Sequence, residues 1–396
     1  MTSPFPVGAT ITGVGISAVG RRLGRDGLDL TIDACLAAIA DAGLNPDDIN
    51  GVASYPGAYF PAPGFNGTST NALRDALNLR CNWYLGAFET AGQLGPLVEA
   101  CLAVICGLAD HVVCFRSVVE SSAQVGRRAA SLADDAGTAF IASPWQAAFG
   151  ALSPANWVAM LAQRYMAEFG LTREQLAQIA LNGRRNAQSN PSAIYRDPLT
   201  MSDYLNSRMI SSPLCLFDCD VPCDGSVAIV VSHAKHGGGL RRQPIAVESV
   251  GTAMLERLQW DQRRVLTTTA THDAAAHLWN RTSIKPADVD IAELYDGFSY
   301  FTLQWLEALG FCPHGQAGAF VEGGHRIARD GQLPLNTNGG QLSGGRLHGL
   351  GLLREACLQL WGDAGDCQIG GPRPEVAVVA AGGGPTAACM LLSHRS

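Results

Sequence analysis

Two stretches of the chain repeat each other in order, and this constrains the fold more than any other feature. Gly43-Leu44-Asn45-Pro46-Asp47-Asp48-Ile49-Asn50 follows an Ala-rich helical pattern, and Ser283-Ile284-Lys285-Pro286-Ala287-Asp288-Val289-Asp290 follows a second one. Further along, Leu97-Val98-Glu99-Ala100-Cys101-Leu102 is matched by Leu353-Arg354-Glu355-Ala356-Cys357-Leu358. One such match is within reach of chance, because Ala and Leu dominate helices. Two in the same order imply a duplicated unit of helix, strand, helix and strand. A chain of 396 residues also exceeds what one hydrophobic core usually organises.

The pattern along the chain alternates strands and helices, which predicts an α/β fold with a mainly parallel sheet covered by helices. Strands are predicted at 9–15, 52–55, 111–115, 227–231 and 376–381, and helices at 28–42, 94–107 and 300–309. The segment 117–212 breaks this rhythm with polar loops and helical patterns at 156–169 and 173–188, so it is read as a large excursion from the first half. Gly237-Gly238-Gly239 marks the expected joint, which divides the chain into halves at 1–238 and 239–396.

A formal net charge of -7 and the lack of a basic run argue against nucleic acid as a partner. No apolar run reaches the roughly 20 residues that span a bilayer, and the N-terminus lacks a leader pattern. A cytoplasmic protein with no membrane contact is expected. The 12 cysteines fall mostly within predicted elements (Cys35, Cys101, Cys106, Cys114, Cys357, Cys389), where a reduced thiol acts as a small apolar group. Cys215, Cys219 and Cys223 are regularly spaced beside Asp218, Asp220 and Asp224, but without a CxxC pair or a histidine they do not make a metal site. No metal ligands are predicted.

Four segments place polar residues or glycines at the ends of apolar elements, where open α/β sheets build their sites. They are Glu89-Thr90-Ala91-Gly92, Tyr295-Asp296-Gly297-Phe298, the stretch from Asn336 to Gly349, and Gly382-Gly383-Gly384-Pro385. With the duplicated halves and the Ser212 to Ser226 segment, they make the chain resemble the thiolase superfamily over nearly its whole length. Within it, the resemblance is to sterol-carrier-protein-type thiolases and lipid-transfer-like steroid side-chain aldolases. It implies an αβαβα fold of two similar halves.

Four groups that the resemblance would require of a working thiolase are missing. Thr90 stands at the nucleophilic cysteine, Tyr295 at one histidine, Arg346 at the second histidine and Ala380 at the second cysteine. A threonine hydroxyl without an adjacent base is a poor nucleophile at neutral pH. What survives is a pocket that binds an acyl-CoA and stabilises a thioester enolate. The implied activity is retro-aldol cleavage of a β-hydroxyacyl-CoA with a steroid or bile-acid side chain, giving a ketone and a short acyl-CoA.

Tyr295 is the first candidate for proton transfer, with Arg346 expected to favour its phenolate, His348 and Arg346 to assist it, and Asp296 to belong to the same cluster. Thr90, Asn336, Gly339, Gly340, Gly382, Gly383 and Gly384 are assigned to substrate and enolate binding. A bland reading also stands: Tyr295 as a core tyrosine, and Arg346 and His348 as loop residues pairing with Asp296 or Glu322. Lys235 and Lys285 are the only lysines and neither sits in a site segment, so a Schiff base is not expected. His272 and His277 are wrongly spaced for a shared metal. The chemistry is expected to be cofactor-free, with coenzyme A part of the substrate.

Two other function classes stay open on the sequence: a non-catalytic acyl-CoA-binding or scaffolding relative, and an acyltransferase using Thr90 or Cys81. The resemblance further implies a homodimer through the sheet face and a small OB-fold and zinc-ribbon partner protein.

Overall fold

The computed structural model describes residues 4–58, 62–127, 144–255, 257 and 263–394. The first half runs β1 (Ala9–Ile16), α1 (Gly27–Ala42), β2 (Gly51–Ser54), α2 (Thr70–Leu77), β3 (Trp83–Gly86), α3 (Gly95–Ile105) and β4 (His111–Val119). An excursion then carries α4 (Glu120–Arg127), α5 (Pro144–Ala148), α6 (Pro154–Phe169), α7 (Arg173–Ala187), α8 (Met201–Leu205) and a small hairpin of β5 (Met209–Ser211) and β6 (Leu214–Cys215), before β7 (Asp224–His233) returns to the sheet. It begins three residues later than the sequence suggests, because 117–119 complete β4. Part of it, 128–143, lies outside the described residues.

The second half runs β8 (Ile245–Met254), α9 (Ala270–Trp279), β9 (Ile291–Leu294), α10 (Ser299–Ala308), α11 (Ala317–Val321), α12 (Gly340–Ser343), α13 (Leu350–Trp361), β10 (Val376–Gly382) and β11 (Thr386–Ser393). Strands pair in the order β3-β2-β4-β7-β1-β8-β11-β10-β9. Reading outward from the centre, β1-β7-β4-β2 is mirrored by β8-β11-β10-β9, so four strands of each half correspond and β3 is an extra edge strand of the first half. Parallel pairing is confined to the flanks, β2 with β3 and β4, and β9 with β10. The centre is antiparallel, because the tight β10–β11 return and the long return of the excursion into β7 bring those strands back reversed.

The layering follows from small residues. Alternate glycines on β1, Gly13 and Gly15, face α1 so closely that a Cβ would come within 2.3 and 2.2 Å of the Ala38 and Ala34 carbonyls. In the second half Gly251 of β8 meets Ala274 of α9 in the same way, at 2.0 Å. The two outer helices therefore lie directly on the inner strands. The helices α3 and α13 are the mid-layer, and α13 touches strands of both halves. The repeated turn motif also serves one local purpose, since Asp48 and Asp288 each accept the amide three residues earlier, from Asn45 and Lys285, at 2.8 Å.

Most cysteines are buried and none is paired, but Cys106 is exposed, so it does not serve as a buried apolar group. No helix among the described residues is long and apolar enough to cross a membrane.

Candidate active site

The site is built where β9 ends, and three polar residues fix that end. Asn336 takes a left-handed conformation, with φ of 47°. Its Oδ1 accepts the Leu294 amide at 2.8 Å and its Nδ2 donates to the Leu294 carbonyl at 2.9 Å. The Asn336 side chain thus acts as an extra strand partner. Asp296 accepts the Gln341 amide at 2.9 Å and the Leu342 amide at 3.2 Å, which caps the short helix α12. Burial raises its carboxyl pKa to about 6 against those amide bonds. In this arrangement both Asp296 carboxylate oxygens accept backbone amides of 341–342.

The glycines of this segment are needed for packing. A Cβ on Gly340 would lie 2.1 Å from Asp296 Oδ2, and one on Gly339 would lie 2.6 Å from Ala187 Cβ of α7. Gly297 does the same for Tyr295, since a Cβ there would sit 2.6 Å from the phenol ring. The turn therefore presses Tyr295 flat, with its side chain 9% exposed.

Tyr295 accepts a hydrogen bond from Gln93 Nε2 at 3.4 Å. Burial, and then the negative charge of Asp220, push its pKa far above the ordinary phenol value, and the lowering effect of Arg346 is outweighed. Of the two roles open to Tyr295, phenolate base and neutral donor, this environment disfavours the phenolate. Arg346 does not pair with Asp296 or Glu322. It forms a bidentate pair with Glu120 (Nε to Oε2 2.8 Å, Nη2 to Oε1 2.9 Å) and donates from Nη1 to Asp220 Oδ1 at 3.0 Å. All three side chains are largely buried, at 23%, 9% and 7% exposed for Arg346, Glu120 and Asp220.

Asp220 is the titratable group that this arrangement creates. Burial raises its pKa most, Arg346 lowers it, and Glu120 and Asp296 raise it, so that it rests at about 7. Its strand-like segment is threaded between the other parts of the site. The Asp220 amide donates to Gly297 O at 3.2 Å, the Val221 amide to Gln341 O at 3.1 Å, and the Arg346 amide to Val221 O at 2.9 Å.

His348 also has positive φ, at 48°. Its Nδ1 lies 2.9 Å from Arg116 Nη2. A guanidinium can only donate, so Nδ1 is the acceptor and the proton of a neutral ring is on Nε2. Burial, with Arg116 and Arg346, drives the imidazolium far below its usual pKa. This environment favours a neutral His348 ring with its proton on Nε2. Arg116 is fully buried in β4 and held by the carbonyls of Tyr55 and Ser117 at 3.2 and 3.1 Å. Phe65 lies edge-on to His348 at 4.6 Å and Arg116 sits over the Phe65 ring at 4.5 Å. Tyr55 and Phe88 extend this aromatic wall.

The triple glycine turns at the end of β10 beside this cluster. Trp305 Nε1 donates to Gly382 O at 2.9 Å, and the Ala270 amide donates to Gly384 O at 3.0 Å. Gln93 links the turn to the phenol, because a Cβ on Gly382 would lie 3.4 Å from Gln93 Oε1. That oxygen is buried without a hydrogen-bond partner. Gly383 packs on Phe301, where a Cβ would come within 2.7 Å. Thr90 starts the loop before α3, and its hydroxyl donates to Glu99 Oε1 at 3.4 Å. That contact supplies a carboxylate at the limit of hydrogen-bond range rather than a histidine base, and Cys81 has its thiol pKa raised by burial.

The C-terminal part of the chain, 252–393, matches the family model described as thiolase C-terminal domain-like. The chain is 33% identical over 404 aligned positions to a steroid side-chain-cleaving aldolase of Thermomonospora curvata, covering 99% of this chain and 100% of that one. It belongs to the steroid side-chain aldolases of the thiolase superfamily. A 17-hydroxy-3-oxo-4-pregnene-20-carboxyl-CoA lyase of Mycobacterium tuberculosis is 32% identical over 97% of this chain and 98% of that one. Among solved structures, an Ltp2-ChsH2(DUF35) aldolase superposes with a TM-score of 0.86 at 31% identity, covering 99% of both chains. A monomeric SCP2-thiolase like protein of Mycobacterium smegmatis shares the fold, at a TM-score of 0.70, 16% identity, and coverage of 98% of this chain and 77% of that one.

For this aldolase, the structure brings Tyr295 and His348 within electrostatic reach of Arg346, while Asp296, Asn336, Gly339 and Gly340 make their contacts with neighbouring backbone and side chains at the strand end. Sequence reasoning missed Asp220, Glu120, Arg116 and Gln93. Arg116 carried a signal, as the one charge within the apolar run His111-Val112-Val113-Cys114-Phe115-Arg116-Ser117-Val118-Val119. Such an ion is retained only with buried partners.

Proposed function

We propose that Asp220 is the general base, with Tyr295 and His348 as the hydrogen-bond donors to the enolate. The reaction is retro-aldol cleavage of a steroid acyl-CoA, the activity named for relatives that align over nearly the whole chain. The Asp220 carboxylate takes the proton of the β-hydroxyl. The β carbon becomes a ketone as its bond to the α carbon breaks, and that electron pair passes to the α carbon and the thioester oxygen. His348 Nε2–H and the Tyr295 phenol stabilise the oxygen, and the α carbon regains a proton from Tyr295, which Asp220 reprotonates. No electrons are exchanged with an external reagent and no bond to the protein forms.

The observation that carries this reading is the split in acidity across one cluster: a carboxyl at about 7 beside a phenol held protonated. Groups whose environments push their pKa values apart mark acid and base. It supports catalysis over a scaffolding role, because a decayed pocket has no reason to keep a buried Arg346 between Glu120 and Asp220. Lysine chemistry has no support, since Lys235 pairs with Asp110 and Lys285 sits in the 283–290 turn.

The proposed substrate is a 17-hydroxy steroid carboxyl-CoA of the kind in the lyase's name, bound with its rings against Tyr55, Phe65 and Phe88. The reading includes a small partner protein, supported by the ChsH2(DUF35) component of the similar aldolase. It also includes a homodimer, for which edge strand β3, with Tyr84 68% exposed, offers a pairing surface. Incubating the chain with that thioester, with and without such a partner, tests the reading by ketone release. Release of free coenzyme A instead would replace it with thioester hydrolysis.

A further inference from the structure

Away from the phenol, three side chains from separate elements converge in a way that the cleavage chemistry does not use. His272 is the third residue of α9, Glu307 lies in the last turn of α10, and His314 is on the loop that follows. One ring nitrogen of each histidine and a carboxylate oxygen of Glu307 lie within 4.8 Å of one another. His272 spends Nδ1 on Thr271 Oγ1 at 3.1 Å, and its Nε2 is buried without a partner. His314 Nδ1 is 2.9 Å from Glu307 Oε2. The other carboxylate oxygen, Oε1, is fixed by the Tyr165 hydroxyl and by the Ala317 amide at 2.9 Å.

We propose that His272, Glu307 and His314 bind a divalent transition-metal ion of the zinc class. Two imidazoles and one carboxylate suit zinc and its neighbours, whereas magnesium and calcium want oxygen ligands throughout. Zinc holds its donors at about 2.0–2.2 Å, so binding draws these three inward by about an ångström. The half-exposed His314 supplies that movement by rotating. Tyr165 and the Ala317 amide orient the carboxylate, the usual duty of groups behind a metal ligand. Arg263 is the cation near His272. Arg263 itself is paired with Asp273. Because the Ala270 amide at the head of α9 holds Gly384 O, the ion would tie the triple-glycine turn to the end of α10.

The test is calorimetric titration of the chelator-stripped full chain with zinc, together with its cobalt(II) spectrum. The expected result is one saturable equivalent and a melting temperature raised by about 2–5 °C when zinc exceeds its Kd by about 100-fold. His314→Ala and His272→Gln each weaken binding at least about 100-fold, and Tyr165→Phe about 10-fold. His236→Ala, in the cluster beside Asp110, leaves it unchanged. His314 is on a loop, so its variant keeps the test interpretable where the His272 variant fails to fold. No saturable zinc binding, undiminished binding in the folded histidine variants, or a cobalt–thiolate band would overturn the proposal.

Discussion

Replacing Glu120 by Gln tests the acid-base assignment through its sign. Glu120 and Asp220 share the Arg346 guanidinium, and the negative charge of Glu120 raises the Asp220 pKa. At an effective dielectric of about 20, a unit charge at about 4 Å contributes about 4 kcal/mol. Two carboxylates bridged by one guanidinium are further apart than that, so about 1.4–2.8 kcal/mol is reasonable, or about one to two pKa units. In the wild type, kcat/KM should rise with pH to a plateau above about 7, where Asp220 is ionised. In E120Q that limb moves down by about one to two units. In Arg346→Gln it moves up, because the lowering charge is lost. Asp220→Asn should lose the limb and about 10²-fold or more in turnover, the scale of a general base. The assay is ketone release from a β-hydroxyacyl-CoA across pH 5–9, with circular dichroism confirming the fold. A limb near 7 that persists in Asp220→Asn, or moves the same way in E120Q and Arg346→Gln, would refute the reasoning.

Tyr295→Phe should lower turnover about 10²-fold or more while leaving the melting temperature nearly unchanged, since among the described residues the hydroxyl makes only the long contact with Gln93; equal turnover in stopped assays would remove Tyr295 from the mechanism. His348→Ala should cost about 10²–10³-fold in kcat, as for other lost oxyanion donors, and His348→Gln should recover part of it by restoring an N–H. Glu293 and Glu355 each lie 2.8 Å from the Thr337 hydroxyl oxygen in a buried cluster; its single proton can serve only one of them, and burial with mutual repulsion raises the pKa of Glu293. A carboxyl raised in the folded state gives stability that is complete below its unfolded pKa and is lost as pH rises through the folded one. Urea unfolding should therefore show the chain weakening from pH 5 towards pH 9, and Glu293→Gln should flatten that slope; an equally steep slope in the variant would contradict it.

The duplication was legible because the motif at 43–50 and 283–290 encodes a self-contained turn, in which one aspartate caps an amide three residues back. The glycines and small residues that set the layers were visible as composition, but not which strand each would face. Tyr295 stood out because a polar residue at the end of an apolar strand has few structural uses. Its protonation was not legible, since Arg346 looks like a free cation in sequence and becomes a spent one when Glu120 and Asp220 fold onto it. The contacts of Asn336 and Asp296 were hidden for the same reason: their hydrogen-bonding capacity goes to backbone groups of segments far away in the chain. Asp220 was seen only as one of three aspartates alternating with cysteines. Its pKa arises from burial and from three charges brought together by the fold.

The central claim is carbon–carbon cleavage without a covalent intermediate, and one reaction tests it most directly. The purified chain, alone and with a DUF35-type partner, is incubated with a 17-hydroxy steroid carboxyl-CoA and followed by mass spectrometry of small molecules and intact protein. The account predicts equimolar ketone and shortened acyl-CoA with no acylated protein. Intact substrate in both arms, or an acyl group on Thr90 or a cysteine, would contradict it.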